Sequence, residues 1–459
     1  MNEQLRMLAE GEKESRGLVP LSLLALATGV GAGLVGALFR MTLESADRLR
    51  AEGLVWAHGH HLLGLAAAVL VCAAAAAAAA CMVRCLSPHA AGSGIPHVEA
   101  VLRGLSAPAP LILLPVKFIG GVLAIGSGLA LGREGPSVQM GASIANVIDR
   151  FVPLRPADSR VLLAAGAGAG LATAFNAPIA GAVFVLEELV QQFEHHIAIA
   201  ALAASATAIV VARVLIGDAP DFNVVALPPA SMPLETLFMV AGGVAGLLAI
   251  AYNRAILGAM AYADRLRIRP VWRAAAIGAG VGALAFFAPD LVGGGDPLTQ
   301  SALSGKGDLV VLALIFLLRF GLGAVSYAAG TPGGLFAPML TLGAQSGLML
   351  GSLFQAVFPG AAIRPESFAL VGMAAFFAGV VRAPLTGIVL VTEMTANTSL
   401  LLPMLGACFA AMLVPTLLGD EPIYDALRHL SMSRERDAKA KRAPPAAMRP
   451  SVAPEGVED

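Results

Sequence analysis

Apolar segments follow one another along almost the whole of this chain, and many are interrupted by glycine and proline. They run approximately over 17–45, 61–83, 108–131, 161–190, 195–216, 233–257, 272–288, 308–327, 333–357, 366–393 and 400–419. A helix needs about 20 mostly apolar residues to cross the hydrocarbon of a bilayer, so there is room for roughly ten crossings or more. Charge is correspondingly scarce, at 13% of the 459 residues, where ordinary soluble domains carry about 25%. The 30 basic and 31 acidic residues nearly cancel, and many lie at the ends or in short connectors. These figures exclude a disordered chain, a nucleic-acid binder and a soluble enzyme of average make-up. They predict an all-α polytopic membrane protein. Irregular backbone at membrane depth is tolerated only where protein or a water-filled cavity surrounds it, so the internal Gly and Pro residues point to a transport path.

The ends are polar. A mixed-sign head, 1–16, precedes the first apolar run and does not resemble a cleavable leader. Lys13 and Arg16 favour a cytoplasmic N-terminus. A charged, Pro-rich tail, 431–459, carries Arg434, Arg436, Lys439, Lys441 and Arg442, which also favour the cytoplasm. It is too short for a folded regulatory domain. Cys72, Cys81, Cys85 and Cys408 read as small apolar helix residues. His58, His60, His61, His195 and His196 lie near segment ends. Neither set has metal spacing, and no metal or cofactor is expected.

The chain repeats itself. A connector, 217–232, separates a first membrane repeat, 17–216, from a second, 233–430. Gly166, Ala177-Pro178, Gly181, Val183 and Glu187 match Gly372, Ala383-Pro384, Gly387, Val389 and Glu393 at one constant offset. Upstream, Pro136 and Gly141-Ala142 match Pro338 and Gly343-Ala344. Duplicated halves with broken helices in corresponding places are the pattern of a transporter or channel whose site lies between the repeats.

Three of the breaks share one design: glycines, then proline, then an apolar helical stretch. They are Gly92-Ser93-Gly94-Ile95-Pro96, Gly132-Arg133-Glu134-Gly135-Pro136 and Gly333-Gly334-Leu335-Phe336-Ala337-Pro338. Proline suits the first turn of a helix, where its missing N–H had no partner to lose. Each break therefore predicts a helix N-terminus opened inside the membrane, whose free N–H groups and positive dipole end favour an anion. Amides and hydroxyls bind an anion without a full positive charge, which lets the site empty as well as fill. Ser93 can add a hydroxyl donor.

Glu134 is the anomaly, a carboxylate where the break attracts negative charge. Ionised, it can occupy the anion's place; protonated, it need not stay. It reads as a gate and proton carrier, or alternatively as a helix cap or a partner of Arg133. Glu187 and Glu188 end a strongly apolar stretch and point about 100° apart on a helix. Glu187 has the repeat partner Glu393, which favours a packing or folding role; Glu188 has none, which makes it the candidate for proton transfer, or alternatively a simple helix-end carboxylate. Lys117, Arg319 and Arg382 are the other charges within apolar runs. They either raise the local potential for anions, or pair with a carboxylate or snorkel to an interface.

These motifs together resemble the CLC chloride channel and transporter family, closest to its prokaryotic chloride/proton exchangers. GSGIP, GREGP, GGLFAP, FNAPIAGAVFVLEE, RAPLTGIVLVTEMT and a late Tyr424 carry the resemblance, over roughly residues 18 to 430. It implies two inverted repeats of tilted and broken helices, and a homodimer with one anion path per subunit. It implies that Ser93 and Tyr424 offer hydroxyls to the central anion, and that Leu335 and Phe336 offer backbone amides. Gly92, Gly94, Ile95, Pro96, Gly132, Arg133, Gly135, Pro136, Gly334, Ala337 and Pro338 would supply the backbone of the selectivity motifs. Glu134 resembles the external gating glutamate, and Glu188 the internal proton glutamate of the exchangers. The serine in GSGIP resembles chloride-preferring members, and the short tail departs from members with cytoplasmic CBS domains.

The reading is a multi-pass chloride/proton antiporter of the inner (plasma) membrane, with chloride, protons and membrane lipid as its partners, no nucleic acid and no enzymatic activity. The alternative is a passive chloride channel gated by voltage or pH. An intramembrane hydrolase using Ser93 would need a His or Lys to activate it, and none sits at a convincing spacing. A cation transporter lacks the multi-carboxylate site expected of one.

Overall fold

The structure, a computed structural model, describes residues 2–224, 227 and 232–442. Most of the charged tail (443–459) and part of the connector fall outside them. The first series of helices is α1 (Asn2–His58), α2 (His61–Leu86), α3 (Ile95–Leu102), α4 (Leu113–Gly126), α5 (Glu134–Phe151), α6 (Pro156–Phe175), α7 (Pro178–Phe184) and α8 (His195–Ile216). A π-helical turn, Val185–Leu189, prolongs α7. The second series is α9 (Met232–Arg265), α10 (Pro270–Phe287), α11 (Asp296–Leu303), α12 (Leu309–Ala328), α13 (Phe336–Val357), α14 (Pro365–Val381), α15 (Pro384–Thr395) and α16 (Leu401–Leu417). A last helix, α17 (Ile423–Arg442), has no counterpart and continues across the start of the charged tail. Among the described residues there is no strand, only two isolated bridges between loops.

The two series correspond element for element. Helices α3 and α11 each have eight residues, and each starts after a glycine in the left-handed region, Gly94 at φ 88° and Gly295 at φ 103°. Before them stand two short 3-10 turns, Pro88–Ala90 and Pro289–Leu291. Helix α5 packs on α6 as α13 packs on α14. In both pairs the approach is set by glycines: a Cβ on Gly141 or Gly166 would meet the other's carbonyl oxygen, and the same holds for Gly343 and Gly372. Without lipid-excluded hydrophobic gain, close backbone contact through small residues is what holds membrane helices together.

Helices α6 and α14 are buried from Val161 to Phe175 and from Ser367 to Val381, and so form the two pillars of the core. A helix apolar all round belongs in such a position. The lipid-length helices surround them: Val19–His58, His61–Leu86, His195–Ile216, Leu234–Arg265, Pro270–Phe287 and Leu309–Ala328 have the length and composition to cross a membrane. Shorter apolar helices include Leu113–Gly126, Pro365–Val381, Pro384–Thr395 and Leu401–Leu417. Helices α3, α5 and α13 start at glycine-proline breaks inside the fold.

The breaks are held by buried cations. Lys117 Nζ donates to the carbonyls of Ala90 (3.1 Å) and Gly92 (2.8 Å), just ahead of α3. Its counterpart Arg319 donates to Leu291 (3.1 Å), Gly293 (2.8 Å) and Gly294 (2.9 Å), just ahead of α11. Among the described residues neither cation forms an ion pair with a carboxylate; each instead satisfies carbonyls that a helix break leaves bare. Arg382 lies in the left-handed region at φ 72°, at the end of α14, and donates to the Asp420 carbonyl at 3.2 Å.

Glu187 and Glu393 perform one task in mirror fashion. The Glu187 carboxylate accepts the N–H groups of Leu385 (2.9 Å) and Thr386 (2.6 Å) at the start of α15, and the Thr386 hydroxyl at 2.7 Å. Glu393 accepts the N–H groups of Ile179 (3.1 Å) and Ala180 (2.8 Å) at the start of α7. Each repeat thus caps a helix of the other, which is the packing role that the repeat match favours. Replacing Glu187 with Ala should lower stability by about 2 kcal/mol, since charged acceptors contribute roughly 1.5–3 kcal/mol each and water replaces part of this. The check is a lowered thermal midpoint in detergent, matched by Glu393→Ala.

Candidate functional site

The three glycine-proline breaks, far apart in sequence, meet in space. Gly132 and Gly334 exchange both backbone hydrogen bonds, Gly132 N–H to Gly334 O at 2.9 Å and Gly334 N–H to Gly132 O at 2.7 Å. Gly92 N–H donates to Thr331 O (3.0 Å) and Gly333 N–H to Gly92 O (3.1 Å). Gly92, Gly132 and Gly334 thus act as the joints of one knot, which delivers the N-termini of α3, α5 and α13 to a common point. Ile95 and Pro96 open α3, Gly135 and Pro136 follow Glu134 in α5, and Ala337 and Pro338 follow Phe336 in α13. Two glycines are required by contact. A Cβ on Gly135 would strike the Ser93 side chain and backbone, and one on Gly334 would strike the Glu134 carboxylate.

Glu134 is fully buried, and its carboxylate lies on the end of α13. Oε1 accepts the Phe336 N–H at 2.6 Å. The amides of Glu134 itself and of Ala337 also act on it, and Oε2 has no hydrogen-bond partner. A carboxylate thus sits on amides that a helix N-terminus leaves free, where they favour negative charge. Leu335 is the buried residue preceding α13. The Phe336 ring is locked among Phe175, Phe184, Phe377 and Tyr424, with centroids 6.1, 5.7, 4.7 and 6.0 Å away, so the amide cannot easily turn aside.

Below the carboxylate lie two hydroxyls. Ser93 and Tyr424 are each 0% exposed. The Ser93 hydroxyl acts on the Tyr424 phenol, yet the geometry leaves both oxygens short of a proper hydrogen bond. The Tyr424 phenol feels the charge of both Glu134 and Glu188. The Ser93 N–H donates to the Tyr327 hydroxyl at 3.3 Å, a contact that fixes the serine from the second repeat. Hydroxyls with hydrogens to give, beside bare helix-end amides, can hold a small dehydrated anion.

Glu188 is 5% exposed and lies on the π-helical turn Val185–Leu189. Such turns recur at functional sites because the wider ring turns a side chain off the helix's regular face. This explains how adjacent Glu187 and Glu188 come to serve different neighbours. Glu188 lies in the fields of Glu99, Asp425, Glu187 and Arg103. That cluster was not singled out in the sequence. Arg428 of α17, nearly buried, is bound to the buried Glu99 of α3 at 2.6 Å and to the partly exposed Asp425 at 2.5 Å. Only an i,i+3 spacing on a terminal helix hinted at it.

The structure therefore brings together Ser93, Glu134, Leu335, Phe336 and Tyr424, and sets Glu188 in a separate cluster with Glu99 and Asp425. Arg133 points elsewhere: its Nε donates to the Ala174 carbonyl at 2.8 Å, and its guanidinium pairs with Asp221 at 3.3 Å.

Comparison with known proteins finds similar chains and a similar fold. The family described as voltage gated chloride channel matches residues 74–416. The H(+)/Cl(-) exchange transporter ClcA of Vibrio parahaemolyticus is 38% identical over 434 residues, covering 92% of each chain. That of Salmonella gallinarum is 36% identical over 456 residues, covering 96% of this chain and 95% of its own. Among solved structures, a slow cyanobacterial Cl-/H+ antiporter superposes with a TM-score of 0.86 at 29% identity, over 91% of this chain and 99% of the other.

Proposed function

The chain belongs to the voltage gated chloride channel family, and from that premise we propose that it exchanges chloride for protons across the inner (plasma) membrane, as a homodimer. One observation carries the reading: the Glu134 carboxylate rests on the Phe336 amide at 2.6 Å, in the position that the helix end offers to an anion. Chloride and the ionised side chain then contend for the same donors, and occupancy by one requires departure of the other.

The residues divide the work. The amides of Phe336 and its neighbours and the hydroxyls of Ser93 and Tyr424 hold the halide. Glu134 takes a proton, loses its hold on the amides, and leaves the site to chloride. Glu188, on its π-helical turn, passes protons to the cytoplasmic side. No covalent chemistry is required, and no enzymatic activity is proposed. The relatives are named exchange transporter and antiporter, which supports exchange over a passive channel gated by voltage or pH. A second carboxylate on the proton side supports it too, since a passive pore has no use for one.

The test is simultaneous chloride and proton flux from the purified chain in tight liposomes. A chloride gradient should drive protons uphill in the opposite direction. Chloride flux with protons at the leak level would return the alternative, a passive channel.

A further inference from the structure

The connector between the repeats carries a carboxylate that the exchange scheme leaves unused. Asp221 has a side chain only 6% exposed, and it stands between two guanidinium groups. Arg40 Nη2 of α1 is 2.9 Å from Oδ1, and Arg133 Nη2 is 3.3 Å from Oδ2. Arg133 is the residue directly before the gate.

The connector is pinned in this place. Asn176 Nδ2 donates to the Ala219 carbonyl at 3.1 Å, and the Phe222 N–H donates to Met394 O at 3.0 Å. Asn223 N–H donates to Gln300 Oε1 at 2.9 Å, and Gln300 Nε2 donates back to Asn223 O at 2.8 Å. Below it lies a cavity of about 180 Å³ whose walls include Gly132, Arg133 and Ala337, the immediate neighbours of Glu134 and Phe336.

Charged groups reach this antechamber from every side. Helix α1 gives Arg40, Glu44 and Asp47, with Arg50 paired to Asp47 at 2.7 Å. Helix α11 gives Asp296, which faces Arg133 and Arg319 electrostatically. Tyr252 of α9 and Tyr424 of α17 share the field of Glu134 from within. Arg133 is therefore offered the connector carboxylate first, then Asp296 and Glu44 of the antechamber and the gate beside it in sequence. As built, it is committed to the first.

We propose that Asp221 is a positioning residue for the gate: its clasp on Arg133 and Arg40 keeps the Arg133 guanidinium off the Glu134 carboxylate, and so sets the pH at which the gate trades protons with the antechamber. This rests on the reading of Glu134 as a proton-carrying gate. Replacing Asp221 with Asn removes a negative charge near the gate and frees a positive one. Both changes favour the ionised carboxylate, so more acid is needed to discharge it. Removing the Arg40 charge does the reverse.

The experiment measures coupled proton flux in liposomes as pH is varied on each side in turn. Asp221→Asn should move the midpoint down by roughly one pH unit, the scale of one nearby charge at an intermediate dielectric. Arg40→Gln should move it up, Asp221→Glu should restore it, and Asp221→Asn on a Glu134→Gln background should show no proton midpoint to move. A merely structural connector would lower flux at every pH without displacing the midpoint, and that result overturns the proposal. Should Asp221→Asn fail to fold, an unmoved midpoint in Arg40→Gln overturns it equally. If the unsubstituted chain shows no coupled flux, the reading beneath falls and the proposal with it; intact coupling with unmoved midpoints sinks the proposal alone.

Discussion

Glu134→Gln should leave chloride flux running while proton flux falls by about 100-fold or more, the usual weight of a positioned proton-transfer group. The amide has nearly the shape of the carboxylate and the same reach, so the fold around it has no reason to move. What it lacks is a proton to exchange at any working pH. It also lacks charge, and charge-assisted hydrogen bonds are roughly twice as strong as neutral ones. Its hold on the Phe336 amide is therefore weaker than the 2.6 Å contact of the carboxylate, and chloride displaces it more readily. The pH dependence of chloride flux should flatten at the same time, because the competitor for the site no longer titrates. Paired recordings with a chloride electrode and a pH electrode check both. Retained uphill proton movement would sink the assignment of Glu134.

Glu188→Gln should also bring proton flux down to the leak level, but by another route. Glu134 remains in place and still competes with chloride, so the pH dependence of chloride flux should persist in this variant. That contrast separates the two carboxylates: one is both gate and carrier, the other carrier alone. The side chain is 5% exposed on a π-helical turn, with Glu99, Asp425 and Arg103 about it, so the amide finds a polar setting and the protein should fold. If Glu188→Gln transports protons as before, the proton leaves by a different group, and the buried Glu99 beside Arg428 is the next to replace.

Much of this site was legible before any coordinates. Glycine and proline at helix starts have a local physical meaning, and three such breaks in an apolar chain pointed to an anion site. The repeat was legible through Ala-Pro, Gly and Glu at one spacing. The fourth break, Gly293-Gly294-Gly295-Asp296-Pro297, has the same composition and went unread, because it lies in a short polar connector rather than in an apolar run. It is the counterpart of the break that carries Ser93. Lys117 and Arg319 stayed ambiguous because an embedded cation looks alike whether it serves a ligand or a bare carbonyl; only the acceptors decide. Tyr424 became a candidate only through family resemblance, since its role depends on α17 folding back beside α3, more than three hundred residues away in sequence (|i−j| 329 for Arg428 and Glu99). The π-helical turn under Glu188 and the Asp221 clasp have no signature in the sequence, being set by packing and by a loop's path.

The reciprocal carboxylate caps bear on how the chain is made. The amides at the start of α7 emerge from the ribosome 213 residues ahead of Glu393, the group that satisfies them. Until then a finished-looking first half carries uncovered polar ends that lipid does not tolerate. Biogenesis therefore ends with a late latch, and a truncated first half should be a substrate for membrane quality control rather than a stable intermediate.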